Sequence, residues 1–167
     1  MGRDVKLERL YDADLIRDFM IQDELWERIS EDGLDKDDFE VPIVDEFHWL
    51  GFFADDKMVG LFFIHPETLS TCQIHFSIAK QYRRLYSLRC ALAGFTYLLD
   101  ETHFSKFNTH VPACYPDVEN FVVKLGFTKE GTNRMSINKN NTLIDQYYYG
   151  ITRGEIANFM NNLVRRK

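Results

Sequence analysis

Residues 118–134, V-E-N-F-V-V-K-L-G-F-T-K-E-G-T-N-R, spell a helix, its stop and a strand that turns back from it. Val118, Phe121, Val122 and Leu125 recur at i, i+3, i+4 and i+7, the spacing of one apolar helix stripe. Gly126 supplies the left-handed residue that ends such a helix, and Phe127 returns the chain to the core. Just before this unit, residues 106–111 read as a strand. After it, residues 128–137 and 143–151 read as a hairpin around Asn138-Lys139-Asn140-Asn141, and Ile156, Phe159, Met160 and Leu163 give the tail helical spacing.

Toward the N-terminus, residues 71–79 set Cys72, Ile74, Phe76 and Ile78 against Gln73, His75, Ser77 and Ala79, the two-residue period of a strand with one apolar face. A basic turn, Lys80-Gln81-Tyr82-Arg83-Arg84, follows. Leu88, Leu92, Phe95 and Leu99 then predict a long amphipathic helix to residue 102. Residues 48–54 and 58–64 read as two aromatic-rich strands joined by Asp55-Asp56-Lys57. Residues 4–10 form a short first strand, and Leu15, Ile16, Phe19, Met20, Trp26 and Ile29 keep helical spacing over one or two helices. The stretch holding Glu31, Asp32, Asp35, Asp37, Asp38 and Glu40, with Pro42 at its exit, reads as a solvated loop; beside a cleft it would concentrate a cationic amine. The summed order predicts an α/β fold, a central mixed and mostly antiparallel twisted sheet flanked by helices, as one domain over residues 1–167.

Composition narrows the function. A chain of 167 residues that is 45% apolar and 14% aromatic can build a sizeable core. Its net charge of -6 argues against general nucleic-acid binding, which needs a basic face. Cys72, Cys90 and Cys114 are odd in number and widely spaced, so neither a disulfide framework nor a thiolate metal site is expected. His65 and His75 alone make a poor metal set. No apolar run reaches the about 18 residues of a membrane span and no signal-peptide core opens the chain, so the expected location is the cytoplasm.

The closing helix and its Gly126-Phe127 turn resemble the GNAT superfamily of acyl-CoA-dependent N-acyltransferases, and the order of elements resembles it over nearly the whole chain. The resemblance implies acetyl-CoA as co-substrate, with its pyrophosphate cradled at the turn between residues 71–79 and the next helix. Backbone N–H groups at a helix start are unpaired and electropositive, which suits an anion. The implied binding residues are Ile78, Ala79, Arg83, Arg84, Leu85, Tyr86 and Ser87, with backbone N–H groups near Ile78 and Ala79 polarising the thioester carbonyl. Aligned on Arg83, Tyr86 and Leu88 stand where relatives carry glycine or alanine, and Arg83 and Arg84 compensate with charge. Glu130-Gly131, Arg134, Asp145 and Tyr149-Gly150-Ile151 resemble the branch of ribosomal-protein N-terminal acetyltransferases, and short bacteriophage members are similar too.

The acceptor such a resemblance implies is a primary amine of a protein or small molecule. An ammonium must lose a proton before it attacks, so a base is required. His75, on the polar face of its strand, is the first candidate; His110 and Glu67 follow. The tyrosine that many relatives use to protonate the leaving thiolate is replaced by Val122, and Tyr115 is the substitute candidate. Those departures leave a second expectation open, a GNAT-fold binding or structural module without catalysis.

Overall fold

Strands and helices follow the predicted order in the computed structural model, which describes residues 4–165. They are β1 (Lys6–Arg9), α1 (Ala13–Met20), α2 (Asp23–Ile29), β2 (His48–Ala54), β3 (Lys57–Pro66), β4 (Thr71–Ile78), α3 (Arg83–Glu101), β5 (Lys106–Pro112), α4 (Pro116–Lys124), β6 (Thr128–Lys139), β7 (Thr142–Thr152) and α5 (Arg153–Val164), with a 3-10 turn, Lys80–Tyr82, ahead of α3. The strands hydrogen-bond in the order β1-β2-β3-β4-β5-β7-β6. β4 and β5 are parallel, while β1/β2, β2/β3, β5/β7 and β6/β7 are antiparallel, so the sheet is mixed and mostly antiparallel as expected. The β4/β5 pairing covers only Thr71↔Lys106, Cys72↔Phe107 and Gln73↔Asn108. Two compact units share β4: residues up to Pro66 with Ile74–Tyr97, and Glu67–Gln73 with residues from Leu98 onward.

In the first unit, Asp55 and Asp56 both take positive φ (49° and 59°), as a two-residue hairpin turn requires, and they join β2 to β3. One sheet face stacks Phe62 on Phe76 at 4.3 Å, with Phe52 6.0 Å from each. Helix α3 lies on that face through Cys90, Ala91 and Phe95, all fully buried. Gly94 permits the approach, since a Cβ there would fall 2.8 Å from the Phe76 ring. This corrects the predicted stripe: Leu88 is half exposed, and the inward positions are Tyr86, Cys90, Ala91, Phe95 and Leu98. Small residues face in because the aromatic stack opposite already fills the space. On the other face Trp49 stacks on Phe63 at 3.9 Å, and the cluster of Ile16, Phe19, Leu25, Trp49 and Leu61 seats α1 and α2. Asp12 caps α1 by accepting from the N–H groups of Asp14 and Leu15. The acidic loop is exposed as expected and tied down by Arg17, which donates to the carbonyls of Lys36 and Phe39.

His48 begins β2 with Nδ1 3.0 Å from the Tyr97 hydroxyl. Burial, and secondarily the charge of Arg9, hold its pKa below the usual 6.5. Above that value His48 is neutral in both folded and unfolded chains; below it the unfolded chain takes the proton first, so stability is lost as pH falls toward the folded pKa. Urea unfolding at pH 7.5 and pH 5.5 should therefore show a smaller acid loss for His48→Gln than for the parent. An equal loss in both would remove His48 from the pH dependence.

In the second unit, residues 122–127 end α4 in a Schellman turn: Phe127 N–H donates to Val122 O and Gly126 N–H to Val123 O, with Gly126 at φ +93°. Val122 and Phe127, both buried, occupy the positions of that motif's apolar contact. The last hairpin turns at Asn140 and Asn141, again with paired positive φ. Thr152 and Glu155 form a capping box at the start of α5. The buried Tyr149 hydroxyl donates to Glu119 at 2.5 Å, and burial, reinforced by Glu119, pushes its pKa up to about 12.

Candidate functional site

The end of β4 and the start of α3 form one corner of the first unit. Ala79 N–H donates to Val59 O at 3.1 Å and the Ala79 methyl sits in the core cluster, so this residue does not lend its amide to a ligand as the sequence suggested. Successive N–H groups of an extended strand point to opposite edges, which puts Ile78 N–H on the edge of β4 away from β3. Beyond it the 3-10 turn bonds Tyr82 N–H to Ala79 O, leaving Lys80 and Gln81, both exposed, with amide N–H groups that no acceptor among the described residues takes.

Arg83 is a second correction. Its Nε donates to Ile78 O at 2.9 Å, its Nη2 to Glu24 Oε2 at 2.7 Å, and its Nη1 to Glu24 Oε1. Glu24 also accepts from Arg28 Nε at 2.9 Å. Arg83 thus fastens α3 to α2 and to the end of β4, with its charge paired to Glu24. Arg84 is the exposed arginine there. Tyr86 turns into the core against Tyr82, with ring centroids 6.1 Å apart, while Leu85 lies half exposed and Ser87 part-buried.

His75 sits part-buried on β4 with its ring stacked 5.5 Å from His65 and 5.8 Å from Phe63. The two Nε2 atoms are 3.4 Å apart, so one imidazole presents N–H to the other's lone pair. Tyr115 caps α4 by position, and Lys139 Nζ lies 5.7 Å over its ring, a packing role. It does not line the cleft described next.

That cleft belongs to the second unit. Glu67, Asn108, His110, Glu130, Tyr148 and Tyr149 line a volume of about 460 Å³. Alternation on β5 brings Lys106, Asn108 and His110 to one face, and the register places Tyr148 opposite His110 and Gly150 opposite Asn108. The His110 and Tyr148 rings meet edge to face at 4.3 Å, and the Gln73 side-chain nitrogen lies 2.8 Å from His110 Nε2. Glu67 Oε2 accepts from Asn108 Nδ2 at 2.6 Å. Glu130 Oε2 accepts from Lys106 Nζ at 2.6 Å, and that ion pair passes directly over Gly150, where a Cβ would fall 2.6 Å from Glu130 Oε1 and 2.8 Å from Lys106 Cε. Of the catalytic candidates, the cleft gathers Glu67 with His110, whereas His75 belongs to the first unit. Asn108, Glu130 and Tyr148 were not singled out for chemistry from the sequence. Period-two alternation gives the side of β5 that Asn108 faces, but only the β5/β7/β6 register brings Glu130 and Tyr148 to it.

The buried thiols of Cys72 and Cys90 are pushed up to about 12 by burial, so they are inert; Cys114 is exposed. Among the described residues no helix is long and apolar enough to cross a membrane.

Comparison with solved structures defines the class of fold. The spermidine N-acetyltransferase of Vibrio cholerae in complex with CoA and spermine superposes with a TM-score of 0.78 at 13% identity, over 93% of this chain and 99% of that one. A mutant form of the Vibrio cholerae spermidine/spermine N-acetyltransferase gives 0.76 at 13% identity, over 94% and 98%. A probable acetyltransferase gives 0.71 at 16% identity, over 92% and 95%. The fold is that of the GNAT acetyltransferases. No protein-family profile and no curated protein matches the chain by sequence.

Proposed function

We propose that this chain, working as one domain, is an N-acetyltransferase that moves an acetyl group from acetyl-CoA to a primary amine. The observation that carries the reading is the corner after β4, where the N–H groups of Lys80 and Gln81 find no acceptor among the described residues and Arg84 stands exposed beside them, a combination suited to a diphosphate. In the reaction the neutral amine nitrogen attacks the thioester carbonyl carbon. The N–C bond forms, the C–S bond breaks, and the proton lost by nitrogen ends on the CoA sulfur. Ile78 N–H polarises the carbonyl, and His75, backed by His65, receives the proton. Similarity to an enzyme solved with CoA and spermine supports a CoA thioester and an amine as the two reactants. A cytoplasmic location suits a CoA-dependent enzyme. The finer kinship, to the ribosomal-protein branch or to bacteriophage members, rests on motif residues that also serve the hairpin: Asp145 accepts from Met135 N–H at 2.9 Å, and Gly150 underlies the Lys106–Glu130 pair.

One observation favours the second reading, a GNAT-fold module without catalysis: the Arg83 guanidinium is committed to Glu24 and Ile78 O. Thiol release from acetyl-CoA in the presence of alkyl amines decides between them. The expected result is amine-dependent release that falls about a hundredfold or more in His75→Ala, in line with a general base's contribution, while the affinity for acetyl-CoA holds. Absence of release with every amine tested would leave the module reading.

A further inference from the structure

His65, near the end of β3, and His75, on β4, come from neighbouring strands of the first unit, and their Nε2 atoms lie 3.4 Å apart. The rings are within 12° of parallel with centroids 5.5 Å apart, so they approach by their Nε2 corners. Phe63, two residues before His65 on the same strand face, lies 5.2 Å from His65 and 5.8 Å from His75, and Phe47 lies 5.8 Å from His65. These neighbours hold both imidazoles in place, and both stay part-buried, within reach of solvent. Spacing in the chain made the two a poor metal set; the distance between them gives the pair a geometry. Two nitrogens bound at about 2.0–2.1 Å to one tetrahedral ion stand about 3.3–3.4 Å apart, one edge of the tetrahedron. A square-planar ion would draw neighbouring nitrogens to about 2.8–3.0 Å. The pair therefore matches zinc better than copper or nickel. Among the described residues no set of three His, Cys, Asp or Glu side chains could hold a metal, so water or a solute fills the other positions.

We infer that His65 and His75 chelate one zinc ion through their Nε2 atoms, and that the bound ion switches acetyl transfer off. Binding needs only that the proton between the two Nε2 atoms move to an Nδ1 nitrogen, which leaves both rings neutral. With its Nε2 lone pair on the metal, His75 has none there for the proton that the amine sheds. The inhibitory half rests on the acetyl-transfer reading; the binding half does not.

Three measurements on the full chain test this. Calorimetric titration with zinc chloride should show one ion per chain, with affinity falling more than about tenfold in His65→Phe and in His75→Ala and holding in His103→Ala. His65→Phe keeps a ring against Phe47 and Phe63 and deletes the ligand nitrogen. Cobalt(II) added to the unaltered chain should give the intense visible absorption of a four-coordinate ion, which zinc then abolishes; the pale spectrum of a six-coordinate ion overturns the tetrahedral site. Turnover is read as acetylated amine, because zinc also captures the freed thiolate. Zinc should inhibit the parent, a chelator should restore it, and the half-inhibiting zinc concentration should rise more than about tenfold in His65→Phe, measured against that variant's own zinc-free rate. Equal zinc affinity in the parent and His65→Phe, or no binding at millimolar zinc by a chain that melts cooperatively, overturns the inference and leaves acetyl transfer standing. Zinc bound through His65 with turnover unchanged overturns the inhibitory role and removes His75 as the base. His65-dependent binding in a chain that acetylates no amine supports the site and sinks the transferase reading alone.

Discussion

Arg153→Met is expected to destabilise the protein by about 3 kcal/mol or more, beyond the usual cost of a single substitution. The Arg153 guanidinium donates to Phe104 O at 2.8 Å, Leu99 O at 2.8 Å, Leu98 O at 3.1 Å, Thr102 O at 2.7 Å and Thr102 Oγ1 at 3.2 Å. Helix α3 stops at Glu101, so its last carbonyls have no intrahelical partner and carry the negative end of the helix dipole. One planar cation at the first residue of α5 satisfies them together and ties the exit of α3 to the strand–helix junction at Thr152. Methionine keeps the stem and deletes every donor. Lysine keeps the charge yet cannot fork to five acceptors, so Arg153→Lys should recover only part of the loss. Urea unfolding of the three proteins checks this, and a loss below about 1 kcal/mol for Arg153→Met, the level of an ordinary surface contact, would contradict the role.

Arg153 also marks what the sequence could reveal. Helix α4, its Gly126 stop and the hairpins were legible because each is written in local chemistry: apolar spacing, a left-handed glycine, paired turn residues at Asp55-Asp56 and Asn140-Asn141. The inward face of α3 was misread, since leucine spacing pointed to Leu88 whereas the aromatic stack opposite demands Cys90, Ala91 and Gly94; choosing between these faces needs the partner surface. Arg83 showed as a cation at a helix start, which it is. That its charge is taken by Glu24, far away in sequence, depends on the packing of α2. The cleft was legible only in part. Glu67 and His110 stood out as titratable groups, but Asn108, Glu130 and Tyr148 acquire meaning through strand register.

The second large effect concerns the corner. Lys80→Pro is expected to cut acetyl-CoA affinity about tenfold relative to Lys80→Gln, the cost of one hydrogen bond to a charged phosphate. Lys80→Gln removes the side-chain charge and keeps the backbone donor, whereas proline deletes the donor itself. The fold should tolerate proline there. Ala79 lies at φ -61° and ψ 138°, the extended region favoured before proline, and Lys80 is the first residue of the 3-10 turn, with no internal acceptor for its N–H among the described residues. Equal affinities for the two variants would show that the Lys80 amide does not touch the diphosphate.

Everything functional depends on a CoA thioester seating at that corner, and calorimetric titration of the unaltered chain with acetyl-CoA tests it without reference to any acceptor. The account predicts saturable binding in the micromolar range. Failure to bind acetyl-CoA at millimolar concentration, by a chain that melts cooperatively, would contradict it and leave a GNAT fold put to other use.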